Sequence, residues 1–70
     1  MGSFRLKELR IQRNISQKEI AATFGVVPRT IRKWESEDSD PTTKQLIALA
    51  DYFDVSLDYL VGRSDNSKRS

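Results

Sequence analysis

Apolar residues along the chain recur at helical rather than strand spacing. Leu6 and Leu9, then Ile20, Ala21 and Phe24, then Ile31 and Trp34, then Leu46, Leu49, Ala50 and Phe53, and last Leu57, Leu60 and Val61 form five groups. Within each group the interval is mostly three or four residues, which lines one face of an α-helix. Polar stretches separate the groups, so the pattern predicts five short helices around one core. The first is expected from about Phe4 to Arg13, with Arg10 beside the Leu6 and Leu9 stripe at the i+4 position. Asn14 suits its end, and Ile15 can plug the core between the first and second helices. Ile11 falls off the stripe and receives no assignment.

Local signals place the boundaries. Ser16-Gln17-Lys18-Glu19 has the form of a capping box, in which a hydroxyl and a carboxylate satisfy unpaired backbone N–H groups at a helix start. Gly25 ends that second helix, because glycine adopts the left-handed conformation after a helix at least cost. Pro28 stands where its fixed φ suits a first helical position and its missing N–H has no partner to lose. The run Ser36 to Pro41 is polar, acidic and proline-terminated, hence a loop. Thr42 with Gln45 repeats the capping-box spacing for a fourth helix that Asp54 closes, and Ser56 starts a fifth that Gly62 stops. From Arg63 to Ser70 nothing can be buried. The expectation is an all-α domain over residues 4–62 followed by a flexible polar tail over residues 63–70.

Pro28 to Glu35 carries the strongest functional signal. At about 100° per residue, Ile31 and Trp34 point one way, while Arg29, Arg32 and Lys33 cluster in an arc of about 100° on the other side. Three cations on an isolated helix read as a solvated face. Here a second short helix and a glycine turn come immediately before them, which is the arrangement of a helix-turn-helix. Such a helix can seat its apolar side on a small core and insert its cationic side into the major groove of DNA. Charge distribution agrees. The net charge is +2, but residues 1–35 hold eight Lys/Arg against three Asp/Glu, or +5, and residues 36–70 hold four against seven, or −3. The basic half contains the two helices, as an electrostatic footprint for phosphate requires.

The chain has 70 residues, no cysteine and no histidine. Disulfides, thiolate ligands, the usual general base and the commonest metal ligand are therefore excluded. The remaining carboxylates and hydroxyls form no nucleophile, base and orienter arrangement, and no glycine-rich phosphate loop is present, so no enzyme, metal or cofactor is expected. So small a core offers no small-molecule pocket. No apolar run reaches membrane-spanning length and no signal peptide is evident, which leads us to expect a soluble cytoplasmic protein.

Several motifs in register resemble one family. L-K-E-L-R (6–10), S-Q-K-E-I-A (16–21), G-V (25–26), T-I-R-K-W-E (30–35), D-P (40–41) and V-S-L-D-Y-L (55–60) are similar, in order and spacing, to the helix-turn-helix domain of the Cro and phage-repressor family. The resemblance implies a compact, lambda-repressor-like domain of five helices that inserts its third helix into the major groove. It further implies a transcriptional regulator, a repressor in function, bound as a symmetric dimer to a palindromic operator. By position, Pro28, Arg29, Arg32 and Lys33 would face base edges. Gln17 would touch a phosphate near a helix N-terminus, where the dipole favours an anion. Thr30 is a further phosphate candidate, and Arg10 and Glu35 would bridge the first helix to the end of the third.

Departures from the family pattern modify these expectations. Val27 replaces the usual Ser or Thr cap, and Pro28 stands where a polar base reader is common, leaving apolar contact with a thymine methyl as its available readout. The loop from Glu37 to Asp40 is acidic where many relatives are basic. Thr42, Thr43 and Lys44 are therefore the better phosphate candidates. In the fifth helix Leu60 is assigned to the core, and Tyr59 and Val61 to a small self-contact that would make a weak homodimer. The competing function is a protein-interaction module, such as an antitoxin or anti-repressor. The cationic face without aromatic anchors favours DNA over that alternative.

Overall fold

Five α-helices follow one another: α1 (Leu6–Gln12), α2 (Gln17–Phe24), α3 (Pro28–Glu35), α4 (Thr43–Phe53) and α5 (Leu57–Leu60). They belong to a computed structural model that describes residues 4–68, among which there is no strand. The result is an all-α, lambda-repressor-like arrangement around one core.

Local chemistry explains most boundaries. At α2 the Glu19 backbone N–H donates to Ser16 Oγ at 2.9 Å, and the Ser16 N–H donates to Glu19 Oε1 at 3.4 Å. Thr42 and Gln45 repeat the exchange at α4, with distances of 3.2 and 2.8 Å. Gly25 closes α2 at φ 68°, and Asp54 closes α4 at φ 55°. Val27 leads into α3 in extended backbone and contributes no side-chain cap; Pro28 takes the first helical position.

Helix α1 is shorter than its pattern suggests. Arg5 precedes it, and the Arg5 N–H donates to the Leu60 carbonyl at 2.9 Å, which draws the chain toward α5 before the helix begins. Phe4 is accordingly outside the helix, half-buried against the core. The core consists of Leu6, Leu9, Ile20, Ala21, Ile31, Trp34, Leu49, Ala50, Phe53, Val55 and Leu60. Val55 reaches it from the α4–α5 connection, outside any helical stripe. Leu46 packs only at its margin, as does Ile15, while Ile11 is exposed.

Residues 63–68 run back across α5. The Arg63 N–H donates to the Asp58 carbonyl at 2.8 Å, and the Ser56 N–H donates to the Ser67 carbonyl at 3.0 Å. Arg5 Nη2 donates to Asp65 Oδ1 at 3.0 Å. Two residues near the helix ends thus organise a segment that has no apolar side chain to bury. Residues 69 and 70 of the expected tail lie outside the described residues.

Candidate nucleic-acid interface

Helices α2 and α3 bury facing sides. Ile20 and Ala21 on α2 and Ile31 and Trp34 on α3 are all buried. The turn between them is closed by the Val26 N–H, which donates to the Ala21 carbonyl at 3.0 Å. Seating Ile31 and Trp34 forces the other side of α3 outward. Pro28, Arg29, Arg32 and Lys33 are exposed there, and Thr30 is half-buried.

The start of α2 lies beside this face. Gln17, Pro28, Arg29 and Arg32 line a shallow depression of about 230 Å³. A second depression, of about 300 Å³, is lined by Lys7, Gln17, Arg32, Glu35 and Ser36. Gln17 and Arg32 belong to both, so the two form one polar surface. Lys7 is the member that sequence reasoning missed. Its only signal was a position on α1 off the Leu6 and Leu9 stripe, because the neighbours that give it meaning come from α2 and α3. Lys33, Thr30, Thr42, Thr43 and Lys44 line neither depression. Thr42, Thr43 and Lys44 are exposed at the start of α4, where the Thr42 hydroxyl already accepts the cap bond.

A charged network fixes the far end of α3. Arg10 Nε donates to Glu35 Oε2 at 2.6 Å and Arg10 Nη2 to Glu35 Oε1 at 3.3 Å. Gln17 Nε2 donates to the same Oε1 at 3.0 Å, and Arg10 Nη1 donates to the Ile15 carbonyl at 2.9 Å. The Glu35 side chain is 5% exposed and that of Arg10 13%. One carboxylate therefore joins α1, α2 and α3. A fork that donates in parallel to a carboxylate also fixes direction, which a lysine in place of Arg10 would not.

The self-contact candidates occupy a different part of the surface. Tyr59 is half-buried, with the Arg5 guanidinium 4.2 Å from its ring centroid and Arg5 Nε donating to its carbonyl at 2.9 Å. Val61 is half-buried and lines an open depression with Phe4, Pro41, Leu46, Glu37 and Asp40. On α5 the exposed apolar side chain is Leu57. A helix of barely one turn leaves its phase unfixed by periodicity, so the exposure of Leu57 could not be read from spacing. Among the described residues no group of acidic side chains is arranged to hold a metal ion.

Comparison with known proteins follows the same residues. A helix-turn-helix family matches residues 6–60. The chain is 35% identical over 66 residues to the HTH-type transcriptional regulator ImmR of Bacillus subtilis, covering 94% of this chain and 52% of ImmR. It is 39% identical over 63 residues to the HTH-type transcriptional regulator AnsR of the same organism, covering 90% and 54%. Against the cryptic phage CTXphi transcriptional repressor RstR of Vibrio cholerae it is 34% identical over 59 residues, covering 84% and 53%. The chain thus spans about half the length of the curated relatives it matches. No solved structure matches it.

Proposed function

The chain belongs to the helix-turn-helix family of Cro and phage-repressor type, whose matched members are transcriptional regulators, and from that premise we propose that it binds double-stranded DNA sequence-specifically and represses transcription. The observation that carries this reading is the division of α3: Ile31 and Trp34 are 0% and 3% exposed, while Arg29, Arg32 and Lys33 project into solvent. A major groove about 12 Å wide admits such a helix. Arg29, Arg32 and Lys33 face base edges, Pro28 offers apolar contact to a thymine methyl, and Gln17 sits at the rim for a phosphate, with Thr30, Thr42, Thr43 and Lys44 as further phosphate contacts. Repression is supported by RstR, whose name is that of a transcriptional repressor. A cytoplasmic location accords with the role, and no described helix is long and apolar enough to cross a membrane.

The reading is tested by duplexes selected from a random pool, titrated with the protein across a salt series. Affinity should fall as salt rises, because each neutralised phosphate releases counterions with a slope near about −0.9 per contact. Arg29→Ala and Arg32→Ala should each cost about 1–3 kcal/mol on the selected duplex and relax preference at one base pair, whereas Lys44→Ala should weaken all duplexes alike. Equal losses on selected and scrambled duplexes for both arginines would mean that they touch only phosphate. No binding to any duplex would abandon the DNA reading in favour of a protein partner.

The bound form we propose is a weak two-fold homodimer on a palindromic operator, joined near α5 through Tyr59 and Val61. Symmetric half-sites would then be centred about 34–36 Å apart. Shifting their spacing by about five base pairs, half a helical turn, should abolish two-to-one binding. Undiminished two-to-one stoichiometry at the altered spacing rules out a cooperative symmetric dimer.

A further inference from the structure

We propose that the depression where Phe4, the α3–α4 loop and the end of α5 meet docks a segment of a partner protein that presents one large apolar side chain flanked by Lys or Arg. Three separate stretches of chain build it. The Arg5 N–H is bonded to the Leu60 carbonyl, which leaves Phe4 outside α1 and brings the end of α5, with Val61, alongside. Pro41 and Leu46 complete the apolar lining, and the space is about 260 Å³. All four apolar side chains are half-buried, so each gives its inner side to the protein and leaves its outer side as the floor of the depression. A floor of this kind takes one apolar anchor.

The rim decides what accompanies that anchor. Glu37 and Asp40 stand exposed on it, and residues 36–41 carry three carboxylates and no cation. Glu37 holds its carboxylate there from a backbone at φ 61°, a left-handed conformation that glycine adopts without cost and glutamate does not. Such a rim repels a phosphate backbone, and none of the lining residues borders the two depressions beside α3. The depression therefore lies apart from the DNA-facing surface. Complementarity calls for cations beside the anchor, since matched charge steers a partner in and like charge rejects a wrong one. A second copy does not meet that requirement, because a two-fold centred on the depression would set two acidic loops against each other. The self-contact proposed at Tyr59 and Val61 thus reaches it only from the α5 side.

Random peptides displayed on phage are selected on the immobilised 70-residue protein, and an enriched peptide is synthesised and titrated into isotope-labelled protein while the amide NMR signals are followed. Enriched sequences should share an apolar residue next to Lys or Arg, and the synthetic peptide should shift the signals of Glu37, Asp40, Leu46 and Val61. Its affinity should fall as potassium chloride rises. Asp40→Asn should weaken it about two- to fivefold, the worth of one exposed ion pair, and Glu37→Gln, which removes the other rim charge, should act alike. Both positions are exposed, so both variants should melt with the parent. Serine in place of the peptide's apolar residue should cost about tenfold or more. Failure to enrich any peptide overturns the inference, as do enriched peptides without cations, signals that shift on α3 instead, or an affinity indifferent to both substitutions. The same signals shifting with protein concentration alone, with a doubled mass in sedimentation, would assign the depression to a second copy and overturn it equally. Peptide binding is read without DNA, so every one of these outcomes leaves the DNA reading as it stands.

Discussion

Arg10→Ala is expected to destabilise the domain by about 3–5 kcal/mol, because it leaves the Glu35 carboxylate buried without its cation. Glu35 would keep only the Gln17 amide, at 3.0 Å. The Ile15 carbonyl would lose its guanidinium donor as well. Small domains hold on the order of 0.05–0.15 kcal/mol of stability per residue, so a loss of this size consumes much of what 70 residues supply. In a domain this small each kcal/mol moves the melting temperature by about 4–8 °C. Circular dichroism should therefore show Arg10→Ala melting far below the parent. Replacing both partners, as Arg10→Met with Glu35→Leu, should recover most of the difference, since the cost lies in the stranded charge more than in the lost attraction. A single-substitution melt superimposable on the parent would show that the pair contributes nothing.

The consequence for binding follows from where Glu35 sits. It is the last residue of α3 and the anchor of the Gln17 amide. Loosening it frees the end of α3 and releases the α2 side chain beside Arg29 and Arg32. Excess duplex should raise the melting temperature of Arg10→Ala, because a ligand that binds only the folded state draws the equilibrium toward it.

What could be read without coordinates was what depends on near neighbours in the chain. Both capping boxes, the left-handed Gly25, Asp54 at the close of α4, and Pro28 at the first helical position are set by residues within four of one another, and local chemistry suffices to place them. The Arg10–Glu35 pair spans 25 residues; it was visible through the family pattern and the position of Arg10 beside an apolar stripe. Four features were hidden because their partners are remote or their elements too short. Val55 enters the core from a connection with no periodicity of its own. The 63–68 segment is organised by Arg5, about 60 residues earlier in the chain, and by Ser56. Lys7 becomes part of the candidate interface only once α1 crosses the end of α3. In α5, four residues do not define a phase, so the exposure of Leu57 could not be read from spacing.

Trp34→Ala should be as damaging as loss of Arg10, by a different route. The indole is 3% exposed and, with Ile31, forms the entire buried side of α3. Truncating a buried tryptophan to alanine removes transfer energy and leaves a cavity, together about 3–5 kcal/mol. The loss falls on the helix that carries the cations, and Ile31 alone then sets its roll and depth. If the proposed DNA reading holds, affinity should drop on selected and scrambled duplexes at temperatures where circular dichroism still reports full helix content, because a shifted α3 misaligns Arg29 and Arg32 together. Trp34→Phe, which keeps an aromatic wedge, should retain most of both properties. Trp34 is the chain's single tryptophan, so its fluorescence reports unfolding of the parent directly, while the two variants are followed by circular dichroism. If Trp34→Ala melted with the parent and bound the selected duplex as tightly, burial of this side would not be what holds the cationic side in position, and the division of α3 would lose its physical basis.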